Sequence, residues 1–218
     1  MAPPRVQPIR PTWRKDPFDH ADGLFDMKAD GFRGLCYVEQ GRNRLISRNW
    51  NPFDQFADLA DAVAGELGVR EAVLDGEVIA ADETGRPQFY ELLRRTGTPA
   101  YVAFDILWLD GADLRPMALS ERRRVLQSIL PEGSPIISVP VSVTGRGCEF
   151  FELMCAHDLE GIVAKRLADP YEPRVRWLKI KNRHYSQAEN RGELFNDRAS
   201  SSSCPRAGKA AHGPSLRR

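Results

Sequence analysis

Hydrophobic and polar positions change period several times along this chain. Residues 24–27 and 32–39 read as short strands, joined by the Ala29-Asp30-Gly31 turn. Gln40-Gly41-Arg42-Asn43 carries hairpin chemistry, and residues 44–48 return as a strand. The period then lengthens. Phe53, Phe56, Leu59, Ala60, Val63 and Leu67 fall on one helical face, with Asn51-Pro52 as cap and first turn and Gly68 as the stop. That face reads as core packing. Residues 72–81 predict a strand, 82–87 a turn and 89–95 a short helix. Residues 100–109 are nearly all apolar, as in a strand buried on both faces, with Asp105 the one interruption. Ser120 predicts a helix cap, with the helix running to about Leu130, where Pro131 ends it. Its Arg122-Arg123-Arg124 run reads as a solvated face. Residues 136–143, 161–165 and 175–181 predict strands, and 149–157 a helix. Strands outnumber helices and connect through short turns, so the pattern predicts an α+β fold with antiparallel sheets.

Composition narrows the class. The 218 residues are 42% hydrophobic and 28% charged, enough for one good core. No apolar run approaches a membrane span, and the Pro-rich N-terminus lacks the apolar stretch of a secretory signal. Cys36, Cys148, Cys155 and Cys204 are scattered without a Cys-x-x-Cys pair, so a zinc site is not expected and a reducing cytoplasm is. Net charge is +1, so the local distribution of charge matters more than the total. Residues 1–16 predict an extended basic arm, or a poorly ordered terminus, and residues 197–218 a disordered Ser-rich basic tail. The folded domain is expected over 17–196.

Charges interrupt apolar runs at five places. These are Lys28-Ala29-Asp30-Gly31, Ser47-Arg48-Asn49, Asp75-Gly76-Glu77, the segment from Glu160 to Lys165, and Trp177-Leu178-Lys179-Ile180-Lys181. Buried charges need partners. Alternating lysines and carboxylates would line a cavity suited to a phosphate chain with a divalent cation. In Lys179-Ile180-Lys181 the strand period puts both ammonium groups on one face. Lys28 is the candidate nucleophile. A free lysine is about one part in a thousand neutral at pH 7, so desolvation, the nearby Lys179 and Lys181 and a bound metal are expected to favour its neutral form.

As an ordered set these segments resemble the nucleotidyltransferase motifs of ATP-dependent DNA ligases. That superfamily also holds RNA ligases and mRNA-capping guanylyltransferases. KADGFR resembles the nucleophile motif, and SRN, LDGEV, YVAFDIL, EGIVAKR and WLKIKN resemble the later ones. PFDHADGLFDMKADGFR and FDILWLDG are more similar to the bacterial DNA-ligase branch than to capping enzymes. The resemblance spans residues 16–193. It implies two antiparallel sheets with flanking helices around an ATP groove. It implies that Lys28 attacks the α-phosphate of ATP and carries AMP. Asp26 stands where the family usually has a glutamate that reads the adenine amino group. Arg33 and Arg48 would hold ribose and phosphate, and Phe104 would stack on adenine. Glu77 would contact ribose or support a metal, and Glu160 would bind Mg2+ or Mn2+. Lys165, Lys179 and Lys181 would contact phosphates.

The family's nick-sealing enzymes follow the last lysine motif with an oligonucleotide-binding barrel. About 37 residues follow Lys181, too few for such a barrel. Three functions follow. The chain adenylylates itself and activates or seals 5′-phosphate nicks in double-stranded DNA. Or it is an adenylyltransferase or RNA ligase that depends on a protein partner for the barrel or for DNA binding. Or it is a non-catalytic nucleotide-binding module.

Overall fold

The computed structural model describes residues 2–80, 82 and 88–188. The chain divides into two compact units, residues 1–186 and 187–218, and the fold described is the first. Most of the turn expected at 82–87, the end of the folded domain to 196 and the tail from 197 lie outside the described residues.

Two sheets form. One has the order β1 (Thr12–Trp13), β11 (Leu178–Lys181), β10 (Gly161–Arg166), β2 (His20–Met27), β9 (Ser142–Gly145). The other runs β4 (Arg44–Ser47), β3 (Phe32–Glu39), β5 (Glu71–Ala80), β6 (Pro99–Leu109), β7 (Ala112–Asp113), with β8 (Ile137–Ser138) beside β6. Pairing is antiparallel as expected, except for two short parallel additions, β1 on β11 and β8 on β6.

Helices cover the outer faces. In α1 (Ala57–Leu67), Leu59, Ala60, Val63 and Leu67 pack with Cys36, Leu74, Ala103 and Ile106 of the larger sheet. Leu92 of α2 (Phe89–Arg94) and Leu126 of α3 (Leu119–Ile129) join them. In α4 (Gly147–Ala156), Phe150 and Met154 pack on Phe25, Ile162 and Ile180 of the smaller sheet. A third cluster lies on the other face of the larger sheet. There Leu35, Tyr37, Val73, Leu107 and Trp108 meet Tyr171 and Trp177, together with Val6 and Ile9 of the N-terminal arm. The arm is extended, and it belongs to the core.

Several elements differ from the sequence pattern for identifiable reasons. The first long helix begins at Ala57, not at Asn51-Pro52. Pro52 bridges to Ile46, and the Phe53 N–H bonds the Leu45 carbonyl, so this stretch extends the sheet edge. Phe56 still packs where the helical face put it. The α3 helix starts one residue before Ser120 because its first N–H groups have partners elsewhere. Leu119 and Ser120 donate to the Asp169 and Leu167 carbonyls, and Glu121 accepts from the Ala118 N–H. The strand expected over 136–143 is split in two around Pro140, which has no N–H for the ladder. The last strand is only Leu178–Lys181.

The solvated reading of the arginine run is overturned for two of its three members. Arg122 and Arg123 are buried, and only Arg124 is exposed. Arg122 makes a bidentate pair with Asp105, at 2.8 Å from Nε and from Nη2. It also donates to the Met117 carbonyl. Asp105, the one charge in the apolar strand β6, therefore has a fixed cationic partner.

Candidate active site

Lys28 follows the last residue of β2, where the chain leaves the sheet. Its backbone N–H bonds the Gly161 carbonyl across the strands at 2.9 Å. Two glycines permit the close approaches here. A Cβ on Gly31 would lie 2.0 Å from the Val78 carbonyl oxygen. On Gly161, at φ +134°, it would lie 2.1 Å from that of Ile180. Asp30 is buried and accepts from the Tyr185 hydroxyl at 2.9 Å. The turn is thus set with its backbone against β5 and bonded to β10, which in turn packs closely on β11.

Glu160 organises the charges around Lys28. Its Oε2 is 2.5 Å from Lys28 Nζ and its Oε1 is 2.8 Å from Lys181 Nζ. Burial pushes the Lys28 ammonium toward neutrality, but Glu160, Glu77 and Asp30 more than reverse that and raise its pKa above the ordinary lysine value. Desolvation thus acts in the expected direction, but the surrounding carboxylates outweigh it. Burial alone would raise Glu160, but Lys28 and Lys181 hold it below the usual carboxylate range. Burial lowers Lys179, and Lys181 and Lys28 add to the effect.

Strand register arranges the smaller sheet in rows. Ser142, Asp26, Val163 and Lys179 stand side by side across β9, β2, β10 and β11. Lys165 pairs with Leu24, four positions from Lys28, or roughly 13 Å along the strand. Its Nζ is 2.6 Å from Asp26 Oδ2. It also lies 4.2 Å from the Trp177 ring centroid and 4.5 Å from that of Phe104. Lys165 is thus placed with Asp26 and the aromatic rings, and not in the Lys28–Glu160–Lys181 cluster where a phosphate contact was expected. Burial lowers its pKa despite Asp26.

The facing wall comes from the larger sheet. Arg33 Nε and Nη2 grip Asp75 at 3.0 and 2.6 Å, and Nη1 donates to the Ile9 carbonyl at 2.6 Å. The Tyr171 hydroxyl also donates to Asp75, at 2.6 Å. Phe104 owes its position to a β-bulge. Asp75 pairs with Asp105 and Gly76 with Ala103, so Phe104 is the extra residue on β6. Burial pushes the Glu77 carboxyl up to about 7, against the pull of Lys28 and Arg33.

Between these walls lies a cavity of about 350 Å³, lined by Asp26, Lys28, Arg33, Arg48, Glu77, Phe104, Lys165 and Lys179. Glu160 adjoins it through its ion pair with Lys28, and Lys181 through its ion pair with Glu160. All ten residues singled out from the sequence therefore gather at one place. Sequence reasoning gave no individual site role to Trp177, Arg10, Asp75, Tyr171, Ser142 or Arg123. Trp177 and Asp75 lie inside motifs that were quoted, so their apolar or charged character within those runs was the available signal.

The sequence model of the family described as "ATP dependent DNA ligase domain" matches residues 14–181. The "Multifunctional non-homologous end joining protein LigD" of Pseudomonas aeruginosa is 34% identical over 186 residues, 80% of this chain and 21% of that protein. The LigD of Mycolicibacterium smegmatis is 35% identical over 72% of this chain and 21% of that protein. The chain thus spans about a fifth of the length of these relatives. The "SPbeta prophage-derived DNA ligase-like protein LigB" of Bacillus subtilis is 32% identical over 79% of this chain and 66% of that protein. Among solved structures, "mycobacterial DNA ligase D complexed with ATP and MES" superposes with a TM-score of 0.71 at 29% identity, over 81% of this chain and 60% of that one. With the two-sheet fold and the gathered motifs, these matches make the chain a member of the ATP-dependent DNA ligase domain family.

Proposed function

We propose that this chain is a self-adenylylating ligase domain that activates 5′-phosphate ends in nicked double-stranded DNA. The observation that carries the proposal is the cavity itself. At one end it has an aromatic ring, a carboxylate and an ammonium (Phe104, Asp26, Lys165). At the other it has Lys28 among Glu160, Lys179 and Lys181. That polarity suits a purine base at the first end and phosphates at the second. The mycobacterial DNA ligase D of similar fold was solved with ATP, which supports ATP as the nucleotide.

In the reaction, Lys28 Nζ forms a bond to the α-phosphorus of ATP while the bond to the bridging oxygen of pyrophosphate breaks. The product is a lysyl phosphoramidate of AMP. Nζ must give up a proton to solvent first, since the Glu160 carboxylate that it contacts stays ionised. Lys179 and Lys181 supply positive charge against the phosphates, and Arg48 adds to it from the cavity wall. The AMP then passes to a DNA 5′-phosphate.

Glu77 and Glu160 are the residues that would hold Mg2+ or Mn2+. Among the described residues no group of three or more potential ligands forms a ready-made metal site. Two carboxylates that need substrate phosphates to complete the shell suit a cation that arrives with a nucleotide. When bound, such a cation supplies charge neutralisation at the phosphates. The LigD relatives are named for non-homologous end joining, which supports DNA ends as the substrate.

The test is incubation with α-labelled ATP and Mg2+, followed by denaturing electrophoresis. A labelled band that is lost in Lys28→Ala is expected. A band of equal strength in that variant, or no band from the wild type, refutes the assignment. Chasing the labelled protein with nicked DNA and with nicked RNA then reads out which end receives AMP.

A further inference from the structure

We infer that Arg123, on α3 and outside every ligase-like motif, is a positioning residue that sets nucleobase recognition at the far end of the cavity. The inference rests on the proposed nucleotide site and deepens it.

The guanidinium of Arg123 ties together three strands from both sheets. Its Nη1 donates to the Phe104 carbonyl at 3.0 Å, at the bulge that aims the Phe104 ring. Its Nη2 donates to Ser142 Oγ at 3.1 Å. Ser142 in turn donates to Asp26 Oδ1 at 2.6 Å. Nη1 also stands 3.6 Å from Asp26 Oδ2, the oxygen that Lys165 meets at 2.6 Å. Arg123 is 7% exposed and Asp26 is 2% exposed, so both charges are committed to this arrangement. One fork therefore fixes the ring that would stack on a base and the carboxylate that would read its edge.

Asp26 gives this fork its purpose. An aspartate is one methylene shorter than a glutamate and cannot swing its carboxylate far into the cavity. Among the described residues, Oδ1 accepts from Ser142, while the buried Oδ2 is held by the Lys165 charge and accepts no hydrogen bond. Oδ1 can accept a second hydrogen bond from a donor such as the adenine 6-amino group, and only in the orientation that Ser142 and Arg123 hold. Arg123 touches no atom of the reacting centre. Its removal should move base discrimination and leave chemistry at Lys28 alone.

The experiment measures lysyl-AMP formation by single turnover, with ATP and with purine riboside triphosphate, which lacks the 6-amino group. Wild type, Arg123→Met, Arg123→Lys and Ser142→Ala are compared. Loss of a charge-assisted hydrogen bond is expected to cost about tenfold or more in half-saturation for ATP, with the saturating rate changed less than about threefold. The preference for ATP over the analogue should fall by a similar factor in Arg123→Met. It should fall less in Arg123→Lys and Ser142→Ala. An unchanged preference in Arg123→Met overturns the inference, whatever happens to the rate. If that variant does not fold, an unchanged preference in Ser142→Ala overturns it. If the wild type forms no adduct, the proposed function fails. The same base preference is then read from calorimetric titration of the two nucleotides, where equal losses for both in the variants overturn the inference.

Discussion

Lys28 and Glu160 make opposite demands on one proton. The ion pair at 2.5 Å holds Lys28 charged, with its pKa raised above the ordinary value, while attack on a phosphate needs the neutral amine. The neutral fraction then rises about tenfold per pH unit across the neutral range. Single-turnover adenylylation at low ATP is expected to climb with a slope near one from pH 6 to 9. Glu160→Gln removes the main charge that raises Lys28, so its profile should shift to lower pH even as its maximum rate drops. A profile that does not move would show that Glu160 does not set the protonation of Lys28. Glu77 gives a second pH signature. Its folded-state pKa of about 7 exceeds the unfolded value near 4.3, so the folded state binds the extra proton between those limits. Stability is therefore lost as pH rises through this window, and the full cost is present above pH 7. Glu77 lines the cavity and is only partly buried, so the cost is discounted to about 1–2 kcal/mol. Glu77→Gln should melt higher than wild type at pH 8, and the gain should vanish near pH 4.5.

Helix α3 shows why part of the site was hidden in the sequence. The motifs were legible because strand and turn periods are local. In Lys179-Ile180-Lys181 the period of two alone puts both ammonium groups on one face, and Lys28, Glu77 and Glu160 stand as charges inside apolar runs. Arg122 and Arg123 belong to an arginine run with the spacing of a solvated helix face. Their partners lie elsewhere in the sequence, at Asp105, Phe104, Ser142 and Asp26. The bulge at Phe104 was hidden for a similar reason, since it is a mismatch between two strands and no single strand records it. The start of α1 was misplaced because Pro52 serves a sheet edge as well as it serves a first helical turn. The Asp105–Arg122 pair makes α3 sensitive to one-sided changes. Asp105→Asn or Arg122→Met alone leaves a buried charge without its partner, at about 3–5 kcal/mol. The double replacement should recover much of that loss in urea unfolding. If the double variant is as unstable as the sum of the single ones, the pair is not the unit that holds α3 to β6.

At the scale of the molecule, the N-terminal arm joins the two sheets and helps wall the cavity. Thr12 and Trp13 extend the smaller sheet beside β11. The Val6 N–H donates to the Tyr37 hydroxyl, and the Ile9 carbonyl accepts from Arg33, both on the larger sheet. The Ile9 N–H donates to the Tyr171 hydroxyl, which also holds Asp75. Pro8, Arg10 and Pro11 line the cavity itself. Removing residues 2–13 would expose the surfaces under Val6 and Ile9, worth about 2 kcal/mol for each buried side chain. It would also leave the Arg33 Nη1 without its carbonyl acceptor. The expected result is a loss of about 3 kcal/mol or more in unfolding free energy, since part of the burial gain is offset by the entropy of ordering the arm. Half-saturation for ATP should rise, because the truncated cavity loses one wall while Lys28, Glu160 and Lys181 keep their places. Two single variants separate the roles. Ile9→Ala should lower stability with little effect on ATP saturation, and Arg10→Ala should do the reverse, since Arg10 is exposed and faces the cavity. A truncated chain that melts and binds ATP like the full one would show that the arm merely rests on the sheets.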